Sequence, residues 1–315
     1  MTEICYSKTN HLLSVEQALT QILSKVTPLQ QFETISIQQA LARVLATNVS
    51  APAAIPAFNN AAMDGYGLHS QSIKAEAFSC RQVGVSWAGH PYSGAIHANE
   101  CIRIFTGAVV PEGVDCVVAQ EQVVVAGEWV QFPAHTARYQ NIRCAGSDIE
   151  AGKNLLTKGT ILNPVAIGLL AAAGISQVQV TRRLRIGYFS SGDELSPLGS
   201  TLSLGQIYDS NRYQLSALLD HPLYELIDLG IIADDPSLLE QTLNSAAPHL
   251  DVLISTGGAS VGDADFIQET LQKCGQVDLW KIAIKPGKPL AFGRIGECLF
   301  FGLPGNPVAV WVSVE

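Results

Sequence analysis

Apolar residues at helical spacing open the readable part of the chain. Leu13, Val15, Leu19, Ile22, Leu23 and Val26 predict an amphipathic helix over residues 13–26 with Ser14 as its N-cap. A second short helix is predicted over 35–45, capped by Ser36. Two prolines among alanines then break regular structure across 50–58 and begin a linker. From 75 to 132 the pattern changes to short β-rich runs separated by Gly or Pro turns, the mark of a small, mostly antiparallel β domain. Residues 163–174 mix Ala, Leu and Gly, with Pro164 suited to a first helical turn and Gly174 to the position after the last. Such a helix packs closely against another helix or a subunit.

From Arg185 the period becomes strand, loop, helix. The run 185–189 leads to the loop starting at Ser190; 206–209 leads to Ser210, Asn211 and a helix; 226–232 leads to Asp234, Asp235, Pro236 and a helix. The run 251–255 then enters STGGASVGDADF at 255–266. Repeated units of this kind predict an α/β, doubly wound, mostly parallel sheet. Ligands of such sheets sit at the carboxyl ends of the strands, which gathers Asp193, Glu194, Asp209, Ser210, Asn211, Asp234 and the glycine loop along one edge. Asp235 before Pro236 reads as a helix cap, so Asp234 is free to point elsewhere.

The glycine loop carries the first chemistry. Small residues in a row, Gly257, Gly258, Ser260 and Gly262 among them, let backbone amides converge on an anion. Asp263 and Asp265 would repel a bound phosphate unless a hard cation sat between them, so the stretch asks for an oxyanion together with a divalent metal, Mg²⁺. Downstream, Lys281, Lys285 and Lys288 concentrate positive charge in a chain with 19 Lys and Arg. Strand alternation would set Lys281 and Lys285 on one face and Ile282 and Ile284 on the other. The neighbouring prolines fix the backbone, so these ammonium groups would meet an oxyanion with little reorganisation; solvated surface lysines are the alternative.

Elsewhere, Asp64 lies in a turn-forming run and could stand at an exposed tip. Thr106, Gly107 and Ala108 directly follow a strand and could present amides, and Arg143 and Asp148 could pair structurally or face a site together. Gly146, Gly152 and Lys153 miss the Walker spacing by one residue, and Asn154 stands where Ser or Thr would bind Mg²⁺. No nucleophile elbow, dinucleotide fingerprint or metal-spaced histidine occurs. Phosphate or oxyanion transfer with Mg²⁺, without a covalent nucleophile, is what the residues leave.

Composition narrows the picture. A length of 315 residues suggests two or three domains. The formal charge of −9 argues against nucleic-acid binding. Charged residues make up 15% of the chain, against about 25% in an average soluble protein, which suggests a buried subunit interface. No apolar run reaches the roughly 18 residues of a membrane span, and no signal-peptide pattern opens the chain. Seven cysteines without a CxxC spacing indicate neither zinc nor a disulfide framework, and a reducing cytoplasm is the simplest location.

MDGYG at 63–67, TGA at 106–108, NIR and GSDI within 141–149, SSGDEL at 190–195, GQIYDSN at 205–211, DDP at 234–236, STGGASVGDADF, KIAIKPGKPLAFG and GLPGNPVAV run in order to the end of the chain. Together they resemble the MoeA family, the molybdopterin molybdenumtransferases related to the E-domain of gephyrin. The resemblance implies an elongated linker and dimerisation domain at 1–52 and 149–180, with helical and extended segments. It also implies a small β-rich domain at 53–148 and a MogA-like α/β domain binding molybdopterin at 181–315. It implies a homodimer that inserts molybdate into adenylylated molybdopterin with Mg²⁺ and release of AMP, on substrate supplied by a molybdopterin adenylyltransferase. By motif position Glu194, Asp234 and Asp265 are functional acids, Asp234 and Asp265 holding the metal. The resemblance also implies that Lys281, Lys285 and Lys288, with Pro304, Asn306 and Pro307, line the substrate and oxoanion pocket, and that Asp64, Thr106, Arg143 and Asp148 reach in from the partner subunit.

Two positions depart from the pattern: Cys144 and Ala145 replace basic residues, and Ala309 replaces a frequent Ser. The family continues past the helix begun at Asn306 with a further β domain, so the chain ending at Glu315 is expected to lack that domain. The related adenylyltransferases share the glycine-loop domain, which makes adenylyl transfer one alternative; a non-enzymatic dimeric scaffold is another. The N-terminal arm and β domain favour insertion, and the retained acids and lysines speak against a scaffold.

Overall fold

The computed structural model describes residues 12–257, 266–287 and 289–315. Gly258, Ser260, Gly262, Asp263, Asp265 and Lys288 lie outside the described residues. Two compact units form, one from residues 12–33 with Thr181–Glu315, the other from Thr34–Val180.

The first unit is built on a six-stranded sheet in the order Tyr224–Ile232, Leu184–Ser191, Val252–Thr256, Cys298–Leu303, Pro289–Ile295, Gln276–Lys281. The first four strands are parallel and the last two antiparallel. Side-chain alternation sends Phe189, Leu253 and Phe300 to one face, where they pack with Leu239 and Leu243 of helix Pro236–Ala246 and Leu271 of helix Phe266–Cys274. Ile186, Tyr188, Ile254 and Phe292 go to the other face, against Leu215 of helix Asn211–Leu218, Val310 of helix Pro307–Val314 and Ala18 of helix Val15–Lys25. Both faces are covered, as the near-continuous apolar strands of a parallel sheet require. Helix Val15–Lys25 starts with a capping box, Ser14 accepting from the Gln17 amide and Gln17 from the Ser14 amide. The doubly wound α/β class expected from the sequence is thus present.

The second unit holds another six-stranded sheet, in the order Cys116–Ala119, Gly65–Leu68, Glu100–Ile104, Phe78–Ser86, Trp129–Phe132, Val124–Ala126. It is antiparallel except where Phe78–Ser86 meets Glu100–Ile104. Its core includes Tyr66, Phe78, Val118 and Phe132 with the thiols of Cys80, Cys101 and Cys116. Burial pushes Cys101 and Cys116 up to about 12, so these thiols act as small apolar groups rather than nucleophiles. Helix Pro164–Ala172 begins with Asn163 accepting from the Ala166 amide and ends at Gly174, whose φ of 75° suits glycine.

Two expected elements differ. The segment expected as a helix over 35–45 is a strand, Phe32–Ser36, followed by a single 3₁₀ turn, Ile37–Gln39, that Ser36 caps. The β-branched run Thr34, Ile35, Ile37 favours extension, and Ala42 with φ of 61° ends any helical path. The expected strand 206–209 does not enter the main sheet: Ile207–Tyr208 pairs with Leu195–Ser196 in a ribbon of its own. Both residues are exposed, and a stretch flanked by Gln206 and Asp209 cannot fill a site that needs apolar side chains on two faces. Among the described residues no helix is long and apolar enough to cross a membrane.

At the foot of the sheet, Arg182 grips Asp251 with its two terminal guanidinium nitrogens, at 2.6 and 2.7 Å, while the Arg185 amide donates at 2.8 Å. Burial alone would raise the Asp251 carboxyl, but these donors outweigh it and hold its pKa below the ordinary 3.8. A lowered folded-state pKa stabilises above the unfolded value and is lost as pH falls through the folded one. Asp251→Asn should therefore cost about 2–3 kcal/mol at pH 7 in urea denaturation. The gap to wild type should close as the pH is taken below 3.8.

Candidate active site

In the sheet unit the carboxyl ends of neighbouring parallel strands converge on one polar cluster. Strand Leu184–Ser191 ends in two buried serines. Ser190 Oγ donates to Asp209 Oδ1 at 2.9 Å and lies 2.9 Å from Thr256 Oγ1. Ser190 has one hydroxyl proton, and the carboxylate takes it; the Thr256 hydroxyl therefore donates to Ser190. Asp209 is 1% exposed and is paired with Arg212, whose Nε sits at 3.0 Å and whose amide donates at 3.2 Å. Arg212 also bridges Asp228 at 2.8 Å. Burial opposes the Arg212 charge, but the hydrogen bonds to Asp228 and Asp209 outweigh it and its pKa lies above the ordinary value.

The second serine points the other way along the edge. Ser191 Oγ donates to Asp234 Oδ1 at 2.8 Å, and the Asp234 amide donates to Asp193 Oδ1 at 3.0 Å, so the loops after two adjacent strands are tied together. Asp235 is the helix cap, accepting from the Ser237 and Leu238 amides. This division of labour between the two aspartates is the one expected from the Asp-Pro motif. The Glu194 carboxylate lies over Gly192, where any Cβ would meet Oε2 at 2.4 Å. Gly257, with φ of 85°, brings its backbone so close to Ser191 that a Cβ would stand 2.3 Å from the Ser191 carbonyl oxygen. Asn211 Nδ2 donates to the Gly305 carbonyl at 2.8 Å, which joins the start of one helix to the loop before the next. Asn306 caps that next helix through the Val308 amide, with Pro307 in its first turn.

Among the described residues, the Glu194 carboxylate and the outer oxygen of Asp234 accept no hydrogen bond, and no group of three or more metal-ligating side chains forms. Such a donor set fits Mg²⁺, which takes one or two carboxylates and completes its shell with water and substrate phosphate. Lys281 and Lys285 are both exposed; Ile282 is buried and Ile284 packs beside it, as alternation predicts. Ser210 is exposed beside the buried Asp209, and Pro304 is buried.

The second unit carries a cluster of its own. Asp64 Oδ1 accepts from the Thr106 amide at 2.9 Å and the Thr106 hydroxyl at 2.7 Å, and these bonds, amide first, hold its carboxyl below the ordinary range. Ile142–Arg143 pairs with Asn60–Ala61, shortly before Asp64 in the chain, and Ala61 exchanges backbone hydrogen bonds with Gly107 and Ala108. Arg143 forms an ion pair with Asp148. Backbone pairing through Asn60–Ala61 thus links the segment that holds Asp64 to those that hold Thr106 and Arg143, with Asp148 on Arg143.

Sequence reasoning missed Ser190, Ser191, Thr256 and Arg212. A signal existed: both Ser-Ser and Ser-Thr end apolar parallel strands, and Arg212 follows Asp209 at the i, i+3 spacing of a helical pair.

The chain matches two family models, the MoeA N-terminal region (domain I and II) over residues 13–174 and the probable molybdopterin binding domain over residues 187–315. A molybdopterin molybdenumtransferase of Haemophilus influenzae is 40% identical over 303 residues, which is 96% of this chain and 75% of that protein. Another from Nostoc sp. is 36% identical over 300 residues, 93% of this chain and 69% of that protein. The crystal structure of the molybdopterin biosynthesis moeA protein from Pyrococcus horikoshii OT3 is similar with a TM-score of 0.82 at 28% identity, over 96% of this chain and 76% of that one.

The buried Asp209–Arg212 pair yields a test of the framework. Arg212→Met keeps the stem but leaves a carboxylate buried without its cation, and should cost about 3–5 kcal/mol in urea unfolding. Replacing both residues, Asp209→Asn with Arg212→Met, should recover much of that loss.

Proposed function

This chain belongs to the MoeA family, and on that premise we propose that it inserts molybdenum into adenylylated molybdopterin, with Mg²⁺-dependent release of AMP, to form molybdenum cofactor. Its relatives at 40% and 36% identity are molybdopterin molybdenumtransferases, so it is a transferase of molybdenum cofactor biosynthesis. The observation that carries the finer reading is the edge where Glu194 lies against Gly192, Asp234 accepts from the Ser191 hydroxyl, and Gly257 presses on the Ser191 carbonyl. Two carboxylates with spare oxygens beside a glycine backbone suit a metal-bridged phosphate better than a phosphate alone.

In this reading the substrate's phosphates lie on the glycine loop at 257–262, and Asp234 and Asp265 hold the Mg²⁺. An Mg²⁺ ion held there would supply positive charge to the phosphate oxygens of the substrate. Ser191 keeps Asp234 turned toward the crevice through its 2.8 Å hydrogen bond. Lys281, Lys285 and Lys288 supply positive charge for the molybdate, while Pro304, Asn306 and Pro307 shape the pocket wall around it. Asp209, Ser210 and Asn211 hold the strand-edge loops in register for the pterin.

A homodimer completes the site, with the partner subunit's Asp64, Thr106, Arg143 and Asp148 facing the crevice. The low charged fraction of 15% supports an extensive interface, as do the exposed Ile161, ahead of helix Pro164–Ala172, and Val165 in its first turn. A molybdopterin adenylyltransferase supplies the substrate.

The test is AMP release from adenylylated molybdopterin by the purified protein, measured with and without molybdate and Mg²⁺. Release should require both. Asp234→Asn should lower the rate roughly a hundredfold with the fold intact. ATP consumption with molybdopterin would instead indicate adenylyl transfer, and binding with no AMP released under any condition would sink the proposal.

A further inference from the structure

Residues 197–206 form a strap whose two ends are rooted in the site. Its base is the parallel ribbon of Leu195–Ser196 with Ile207–Tyr208. The Ile207 amide donates to the Glu194 carbonyl at 2.8 Å, and the Asp209 amide to the Ser196 carbonyl at 3.1 Å. One root therefore carries the unpaired carboxylate over Gly192, and the other carries the buried network of Ser190, Thr256 and Arg212.

The strap is held together by itself. Ser200 donates to the Pro197 carbonyl from both its amide and its hydroxyl, Ser203 N–H donates to Gln206 Oε1, Gln206 N–H donates to the Ser203 carbonyl, and the Tyr208 hydroxyl donates to the Ser200 carbonyl at 2.9 Å. Among the described residues, no hydrogen bond of 197–206 reaches outside 192–209. A compact loop bonded internally and attached by a two-residue ribbon is free to swing as a body about that ribbon. Gly199 and Gly205 take φ of 84° and 91°, with open space around both.

The surface of the strap is unusual for a loop. Residues 195–208 contain no Asp, Glu, Lys or Arg. Leu198, Leu202 and Leu204 are exposed, Leu204 entirely, with Ile207 and Tyr208 exposed at the base. An uncharged, leucine-rich flap does not suit phosphate or molybdate, which the carboxylate and glycine backbone at its root would handle with a metal. It suits the apolar faces of a planar heteroaromatic ring attached to that phosphate.

We infer that residues 197–206 are a lid that closes over the fused ring of the nucleotide-linked substrate and shuts bulk water out of the phosphoanhydride. This rests on the function proposed above. Closure gives the leucines a partner and confines cleavage of the phosphoanhydride to the molybdate-dependent reaction. With the lid weakened, water adds across the phosphorus–oxygen bond of the anhydride, so that AMP and molybdopterin with its own phosphate leave and no molybdenum is inserted.

Hydrogen–deuterium exchange on the protein with and without adenylylated molybdopterin tests the lid, alongside the double variant Leu202→Ser, Leu204→Ser. Both positions are exposed, so the variant should keep the wild-type thermal midpoint. Binding should slow exchange across 197–206 several-fold in the wild type. The variant should bind roughly tenfold more weakly and release AMP without molybdate. Unchanged exchange on binding, or a variant with wild-type affinity and wild-type dependence on molybdate, overturns the lid and leaves the proposed function standing. A wild type that does not bind the compound at all removes the proposed function and the lid with it.

Discussion

A carboxylate with 1% of its surface exposed cannot remain charged without a partner, and Asp209 meets that demand by gathering three elements around itself. Ser190 comes from the end of one parallel strand, Thr256 hydrogen-bonds to Ser190 from the end of the next, and Arg212 comes from the first turn of the helix that follows Asp209. Because the acceptor is ionised, each donor has one useful direction, and the direction of the Thr256 proton follows from that of Ser190. The register of two strand ends and one helix start is therefore fixed by a single buried charge. The crevice loops inherit their positions from this arrangement: Ser191, which holds Asp234, is the next residue along the strand, and Gly257, pressed against the Ser191 backbone, directly follows Thr256.

The apolar layers make such a buried charge tolerable. Each central strand alternates its side chains between two helical layers, so Phe189 faces one core while Tyr188 faces the other. At the strand ends the alternation does not stop; it continues with Ser190 and Ser191, whose hydroxyls follow the same two directions. One hydroxyl turns toward Asp209 and the other toward Asp234, which separates a structural acid from an exposed one by a step of one residue. The same economy appears in the helix start, where Asp235 caps the helix by accepting from two amides and Asp234 beside it does not.

What could be read in the sequence follows the physics of each signal. The doubly wound order, the Ser14 and Asp235 caps, and the Asn163, Pro164, Gly174 helix all rest on local chemistry, which a sequence displays directly. The strand at Phe32–Ser36 was misread because apolar residues at 35, 37 and 41 fit helical and extended spacing alike over so short a run. Ile207–Tyr208 was misread because a strand signal says nothing about which sheet receives it. Among the site residues, acids at loop starts were legible from the strand-edge rule, and the pairing of Arg143 with Asp148 stood as one of two open readings. The serine and threonine hydroxyls were not legible, since their roles depend on two strands far apart in sequence meeting in register.

Charge accounting then separates framework from chemistry. Asp251 is taken by Arg182 and an amide, Asp209 and Asp228 by Arg212, Asp115 by Arg138 and Ser70, and Asp235 by its own helix. Each of these acids has the partner that its burial or its helix end requires. Glu194 and the outer oxygen of Asp234 stand apart from this group: among the described residues nothing neutralises them, and they hang from adjacent loops at the carboxyl edge of a parallel sheet. In a chain where charged residues are only 15% of the total, acids left without a cation beside backbone pressed to sub-van-der-Waals limits for any side chain but hydrogen are what support the metal-bridged phosphate proposed for this edge.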